Sequence, residues 1–403
     1  MAIETNEIIE YPIVRYDDLT IDPVYLELQT RGPIRIQLPF GEPCWVATRY
    51  QDSMVVYGDR RFGKALGVGK NTPRMYETKI DDPTLMANQD PPEHTRLRRL
   101  TSGAFAPAKI REMRGWIEGL VDALLDDLAA QESHDFVPLV AWPLPMQVIG
   151  GILGVPDSDV PRLRQYVDDM LNIDSAMETR LAGLQSMRAA IGELVEERRQ
   201  HPTDDLLSIM VHARDEDDRL SEAELISVGQ SLVLAGFETT AAQLGSTVYT
   251  LMSNRALWQE LLDDRDVMPA ALEELWRWIP SFRHGMPMIR WASEDVELSG
   301  GVVIPAGEAV LAEHQVANRD ESVFPRAAEI DFHRVDPQPH LALGWGAHRC
   351  LGAQLAHMEV EVTVEKLLDR FPTMELAVAA ADVKWSPSTF LRSPAELPLD
   401  LGA

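Results

Sequence analysis

Residues 340–352 read His340-Leu341-Ala342-Leu343-Gly344-Trp345-Gly346-Ala347-His348-Arg349-Cys350-Leu351-Gly352. Three glycines and two histidines crowd about Cys350, one of only two cysteines in 403 residues. The following stretch, residues 353–361, has the pattern of a helix. Cys350 is therefore placed where a glycine-rich loop enters a helix N-terminus, whose unpaired N–H groups and dipole stabilise a thiolate. Gly344, Gly346 and Gly352 remove side chains where a bulky flat ligand could approach the backbone. On these residues alone, Cys350 is either a reactive thiol or a buried structural cysteine in a turn.

Upstream, Ser221-Glu222-Ala223-Glu224 is a capping box that opens an apolar helix running to about Ser253. Within it stands Ala235-Gly236-Phe237-Glu238-Thr239-Thr240. A glycine inside such a helix costs roughly 1 kcal/mol against alanine, so packing or a ligand has to explain it. Glu238 beside two threonines is a candidate proton-handling group, with a surface-facing acid as the alternative. The next helix, around residues 270–277, carries Glu274 and Arg277 three apart, a common surface pairing. Short strands follow at residues 286–290, 296–298, 302–304 and 310–313, with turns at Gly300-Gly301 and Pro305-Ala306-Gly307.

Towards the N-terminus, Asp90-Pro91-Pro92-Glu93-His94-Thr95-Arg96-Leu97-Arg98 starts a helix with His94 and Arg98 on one face. Such cations clamp an anion or simply face solvent. Residues 62–85 form a long loop rich in Gly, Lys, Asn, Thr and Pro, a length more often functional than decorative. Asp22-Pro23 caps a first helix that ends near Gly32. The stretches 34–38 and 45–48 alternate across Gly41-Glu42-Pro43 as a hairpin, and Cys44 there reads as core. Amphipathic helices are expected over residues 110–131 and 174–200, and a more buried one over residues 144–153. No repeat or low-complexity linker marks a domain boundary.

The composition, 45% hydrophobic and 25% charged, provides for a sizeable core. A net charge of −27 disfavours nucleic acid and anionic membranes as partners. Two cysteines make no disulfide framework, and Met-Ala-Ile-Glu-Thr-Asn-Glu is not a secretory leader, so a cytoplasmic protein is expected. The most apolar runs, such as residues 232–236, fall far short of the ~20 residues that span a bilayer.

Each signal is weak alone, but their order and spacing are specific. The segments Gly346 to Gly352, Glu274-Leu275-Trp276-Arg277 and Ala235 to Thr240 match the three signatures of the cytochrome P-450 haem-thiolate monooxygenases. The Asp90 to Arg98 segment resembles the haem-facing helix of the soluble bacterial members, and similarity runs from about Tyr25 to Leu399. The resemblance implies one catalytic domain over residues 1–403 with a short N-terminal extension of about residues 1–20. It implies a triangular, prism-like fold, mainly α with small β-sheets (α+β), with haem between a long distal helix and a proximal Cys-bearing helix.

By the same resemblance the cofactor is haem b, and Cys350 is the axial thiolate on its iron. His94, Arg98, Arg290 and His348 match positions that pair with the two haem propionates, and Ala235 and Gly352 match cofactor contacts. Glu274, Arg277 and Arg334 become a buried structural network. Gly236 opens room for dioxygen, Thr239 hydrogen-bonds it during activation, and Glu238 relays protons through water. Where the family has an aromatic, most often Phe, this chain has Leu343, and Trp345 is the nearest candidate to compensate. The residue 62–86 loop, Met86, Ala235, Phe237, Met286, Met288 and Phe390 match pocket positions and imply a large, mostly apolar small-molecule substrate.

Similarity is closest to actinobacterial members that tailor secondary metabolites, including macrolide hydroxylases and epoxidases, and some relatives couple aryl rings or cyclic dipeptides. No flavin or iron–sulfur signature occurs, so electrons are expected from a ferredoxin and its reductase. Arg96, Arg99, Lys109, Arg111 and Arg349 are a candidate docking patch, with a solvated face as the alternative. A monomer using O2, with no nucleic acid or membrane partner, is expected. A haem-thiolate protein that senses or isomerises would need neither Glu238 nor Thr239. A thiol nucleophile enzyme would leave the four cations without a role.

Overall fold

Apolar alternation builds a sheet from sequence-distant strands, and 3.6-residue periodicity builds a helical bundle from the middle of the chain. The computed structural model describes residues 8–12, 18–77, 81–172, 174–215, 220–283, 289–386 and 390–402. Two compact units emerge, Met1–Arg96 with Glu273–Cys350 and Leu97–Leu272 with Leu351–Ala403. Helix predominates, with small sheets beside it, as the sequence predicts.

The first unit holds strands β1 (Ile8–Glu10), β2 (Ile34–Gln37), β3 (Cys44–Ala47), β4 (Phe62–Gly63), β5 (Ile289–Ala292), β6 (Val296–Glu297), β7 (Val303–Ile304) and β8 (Ala309–Ala312). Six of them form one sheet in the order β1-β2-β3-β8-β5-β4, and β6 pairs with β7. The expected hairpin is β2–β3, antiparallel with Ile36 opposite Cys44. The parallel β3–β8 pairing joins residues more than 260 apart in sequence, so no local pattern announces it. One face packs Tyr25 and Leu28 of the helix Pro23–Arg31 against Ile36, Val46, Trp291 and Leu311. The other packs Val56 and Tyr57 of the helix Tyr50–Gly58 against Trp45, Phe62, Ala292 and Val310. Burial pushes the Cys44 thiol up to about 12, so this cysteine is an inert part of the core.

The sequence does not announce the helix Tyr50–Gly58. Arg49 gives it no side-chain cap, and buried Asp52 and Ser53 interrupt its apolar face. Asp52 instead accepts the Ser299 N–H at 2.8 Å and its hydroxyl at 2.6 Å.

The second unit is a bundle about the helix Glu222–Ser253. Its capping box forms as expected: the Ser221 N–H donates to Glu224 Oε2 at 2.7 Å, and the Glu224 N–H donates to Ser221 Oγ at 3.2 Å. By length and composition this helix could cross a membrane, against the expectation that no apolar run is long enough. Its apolar side chains are instead covered by the helices Pro143–Leu153, Met177–Gln200 and Ala353–Arg370, as a core helix requires. The expected helix over residues 110–131 is Pro107–Ala130. Helices Val160–Leu171, Leu206–Asp215 and Arg255–Asp263 complete the description and were not singled out by the sequence.

Glu274 and Arg277 prove to be buried, where a surface pair would be exposed. Arg277 donates to both carboxylate oxygens of Glu274 at 2.7 Å, and Arg334 Nε donates to Glu274 Oε1 at 2.8 Å. The remaining Arg277 donors reach the Asn318 and Ala327 carbonyls at 2.8 Å and that of Glu329 at 2.9 Å. Arg334 likewise reaches the carbonyls of Pro325, Arg326 and Glu329. Every charge is answered, so the triad stitches the residue 318–334 segment onto the helix Met268–Trp278. Arg277→Met should cost about 3–5 kcal/mol by removing two of the donors to buried Glu274 and leaving the Asn318, Ala327 and Glu329 carbonyls without the guanidinium they accept from. Denaturant unfolding checks this against Lys384→Met, an exposed change expected to stay within about 0.5 kcal/mol.

Candidate active site

Asn318 fixes where the cysteine loop begins, its Oδ1 accepting the Leu341 N–H at 2.7 Å. The Gly344 N–H then donates to the Leu341 carbonyl at 2.9 Å, and the Cys350 N–H reaches back to the Leu343 carbonyl at 2.8 Å. These bonds close residues 343–350 into a loop. Gly346 sits at φ +69°, and a Cβ there would lie 2.3 Å from the Tyr57 carbonyl oxygen. Only glycine allows that approach of backbone to backbone. Cys350 is exposed, which removes the reading of a buried structural thiol. The chain next enters the helix Ala353–Arg370, with Gly352 in the capping position.

Trp345 is half-buried and packs with Val56 and Tyr57. A Cβ on Gly58 would lie 3.1 Å from its indole. The indole is thus engaged by the helix Tyr50–Gly58, and Leu343, two residues before it, is half-buried.

Three of the four expected cations belong to the first unit. The His94 and His348 rings lie 4.3 Å apart, centroid to centroid. Arg290 is 3% exposed on β5, its guanidinium 5.4 Å above the Tyr57 ring. It donates to the Ile289 carbonyl at 3.1 Å, and among the described residues no carboxylate lies within ion-pair distance. Burial lowers the pKa of Arg290, and burial likewise lowers that of His348. His348 Nε2 is buried 3.6 Å from Asp90 Oδ1, too far for a hydrogen bond, and has no hydrogen-bond partner among the described residues. The Asp90 carboxylate is itself held by the Lys64 and Ala65 N–H groups at 2.8–2.9 Å. The sequence reading missed Asp90 and Lys64, because residues 26 apart meet here through hydrogen bonds from the Lys64 backbone to the Asp90 carboxylate rather than through a motif.

The second unit holds Arg98, half-buried one turn after His94 on the same helix, Glu93–Ser102. On the long helix, the Thr239 hydroxyl donates to the Ala235 carbonyl at 2.6 Å, and Ala235 itself is exposed. Gly236 has a packing reason, since a Cβ there would lie 3.1 Å from Ile149 Cγ1. Glu238 is raised to about 7, first by burial and then by Asp168, with Arg164 opposing. Phe237 is wholly buried in the core, so in this arrangement it presents no surface to a ligand. Met86 and Phe390 are half-buried, while Met286 and Met288 lie outside the described residues.

A family model described as cytochrome P450 matches residues 145–380. Nocardicin C N-oxygenase of Nocardia uniformis subsp. tsuyamanensis is 41% identical over 96% of this chain and 98% of its own. Mycinamicin IV hydroxylase/epoxidase of Micromonospora griseorubida is 40% identical over the same shares. The chain belongs to the cytochrome P450 family. Among solved structures, a cytochrome P450 described as having biaryl coupling reactivity superposes with a TM-score of 0.93 at 38% identity, covering 98% of this chain and all of that one. This cytochrome P450 is a monooxygenase whose cofactor is haem b. The residues present fit that group: an exposed thiol on a glycine-lined loop, and a buried guanidinium and imidazole that no carboxylate among the described residues hydrogen-bonds.

A carboxyl with a raised pKa in the folded P450 holds a proton that the unfolded chain releases near 4.5. The stability it contributes is fullest below that value and is lost as pH rises through about 7. Glu238→Gln removes this loss. The melting temperature of the variant minus that of the wild type should therefore increase from about pH 5 to about pH 8.

Proposed function

We propose that this cytochrome P450 tailors a secondary metabolite, inserting one oxygen atom from O2 into a largely apolar small molecule by hydroxylation or epoxidation. Its electrons come from a ferredoxin and a ferredoxin reductase, and it works as a monomer in the cytoplasm. The observation that carries the haem-binding core of this reading is the buried Arg290 guanidinium, for which no described carboxylate lies within ion-pair distance, beside the buried His348 imidazole. The names of the relatives, an N-oxygenase and a macrolide hydroxylase/epoxidase, support the tailoring role.

Haem b, bound through the Cys350 thiolate, supplies the activation of dioxygen. His94, Arg98, Arg290 and His348 hold its carboxylates by charge-assisted hydrogen bonds. Residues 1–403 are read as one catalytic domain. The Thr239 hydroxyl, with its proton directed at the Ala235 carbonyl, offers oxygen lone pairs as acceptors. Glu238, with a pKa near 7, can both hold and release a proton at neutral pH, which suits an acid that recharges a water. Met86 and Phe390, with Met286 and Met288, supply adaptable apolar surface to the substrate. Oxidative aryl or C–C coupling, for example of a cyclic dipeptide, is the second reading, favoured by the structural neighbour with biaryl coupling reactivity.

A reduced, carbon-monoxide-treated sample should show a strongly red-shifted Soret band, and a band without that shift would remove the thiolate assignment. Thr239→Ala should keep haem and substrate binding but divert electrons to peroxide; full coupling in that variant would sink its role. Arg111 is exposed on the helix Pro107–Ala130, close in sequence to Lys109, which Glu112 pairs at 2.8 Å. Arg111→Glu should slow ferredoxin-supported turnover and flatten its salt dependence while leaving the carbon-monoxide spectrum intact.

A further inference from the structure

Residues 339–345 belong to no helix or strand, so each peptide N–H there needs an acceptor of its own. Asn318 Oδ1 takes the Leu341 N–H at 2.7 Å, and the Leu341 side chain is wholly buried beside Tyr50 and Phe324. The Ala342 N–H donates to His340 Nδ1 at 3.2 Å. The Leu341 carbonyl and the Ala342 N–H are opposite edges of one rigid peptide plane. That carbonyl accepts the Gly344 N–H at 2.9 Å, so the imidazole grips one edge of the plane and the cysteine loop starts from the other. Asn318 and His340 thus orient two successive planes, and just beyond them the Leu343 carbonyl accepts the Cys350 N–H at 2.8 Å.

The imidazole is itself oriented. An amide N–H can only donate, so Nδ1 is the acceptor and the neutral ring carries its proton on Nε2. Nε2 stands 3.3 Å from Glu273 Oε2, where that proton faces a carboxylate. The Trp276 ring lies nearly parallel to the imidazole, at 8° and 6.5 Å between centroids. Positions three apart share a helix face, so the helix Met268–Trp278 offers His340 a carboxylate and an aromatic together. The next two positions on that helix, Glu274 and Arg277, hold the buried triad, so adjacent stripes of one helix support both features. The His340 side chain is only 7% exposed, so water does not simply replace a lost acceptor.

We propose that His340 is a positioning residue for Cys350, its neutral imidazole fixing the peptide plane from which the thiol loop is built while Glu273 holds the tautomer. The inference rests on the reading of Cys350 as the haem ligand. Groups that orient a ligand's backbone tune how firmly the ligand is presented. Without the bond to Ala342, the thiolate is held less firmly and the haem leaves more readily.

The test uses holoprotein of the wild type, His340→Asn, His340→Gln and His340→Phe. Asn places a carbonyl oxygen where Nδ1 stands and keeps the acceptor for Ala342. Gln keeps a donor towards Glu273 without that acceptor, and Phe keeps only a ring. Two rates are measured: decay of the red-shifted Soret band in the reduced, carbon-monoxide-treated sample, and haem transfer to excess apomyoglobin. Gln and Phe should raise both about fivefold, the worth of one net hydrogen bond, while Asn stays at the wild-type rates. Should Phe yield no holoprotein, Gln against Asn decides. If Gln matches Asn, the His340 inference is overturned while the thiolate assignment stands on the wild-type band. If the wild type itself shows no red-shifted band, the thiolate assignment falls and the inference with it.

Discussion

An arginine keeps its charge in any folded protein, so each buried guanidinium must be answered by oxygen atoms from somewhere. Two of the buried arginines in the first unit have opposite solutions. Around Arg277 the chain supplies every acceptor itself: both oxygens of Glu274 and the carbonyls of Asn318, Ala327 and Glu329. Around Arg290 it supplies one adjacent carbonyl and an aromatic face. The first arrangement is complete without a ligand and serves the fold. The second is incomplete, and its deficit is the kind that two propionates would fill. Distinguishing the two requires no knowledge of activity, only an account of where the donors go.

The same contrast explains what could be read along the chain. Helices with caps and clean stripes, such as Pro23–Arg31 and Glu222–Ser253, were legible because the capping residue and the apolar period lie within one window. The hairpin β2–β3 was legible for the same reason. The sheet order was not, since β3 finds β8 and β4 finds β5 across more than two hundred residues. Cys350 and the cations His94, Arg98, Arg290 and His348 were legible as a set only through the family's motif spacing. Asp90 and Lys64, brought together by hydrogen bonds from the Lys64 backbone, carry no motif for the pair. On local grounds Glu274 reads as a common surface partner, and only the family resemblance pointed to the buried network with Arg277 and Arg334 that the structure holds, because burial is a property of the residues that later cover it.

The departure at Leu343 has acquired a physical shape. Trp345 stands two residues away, but the close approach of Gly346 to Tyr57 and of Gly58 to the indole commits that ring to the helix Tyr50–Gly58. A ring already filling a core position cannot move to a second one without leaving a cavity. The backbone at position 343 still performs its task, accepting the Cys350 N–H at 2.8 Å, so the loop closes whichever side chain stands there. The substitution therefore changes what packs near the thiol and leaves intact the geometry that presents it.

Relatives of nearly equal identity bear names for different reactions: N-oxygenation, hydroxylation with epoxidation, and biaryl coupling. A common fold that supports all three cannot itself select among them. With a shared cofactor the oxidant is common, and the outcome depends on which substrate atom is held within reach and for how long. That choice belongs to whichever side chains touch the substrate and to the acidity of the proton source. Glu238 is shifted partly by Asp168 and Arg164, which stand on the separate helix Val160–Leu171. A substrate that displaced that helix, or screened its charges, would alter the proton supply as well as the fit. In the role proposed for Glu238, selectivity and chemistry are coupled through that carboxyl, so identity at the cysteine loop alone does not transfer a substrate from one relative to another.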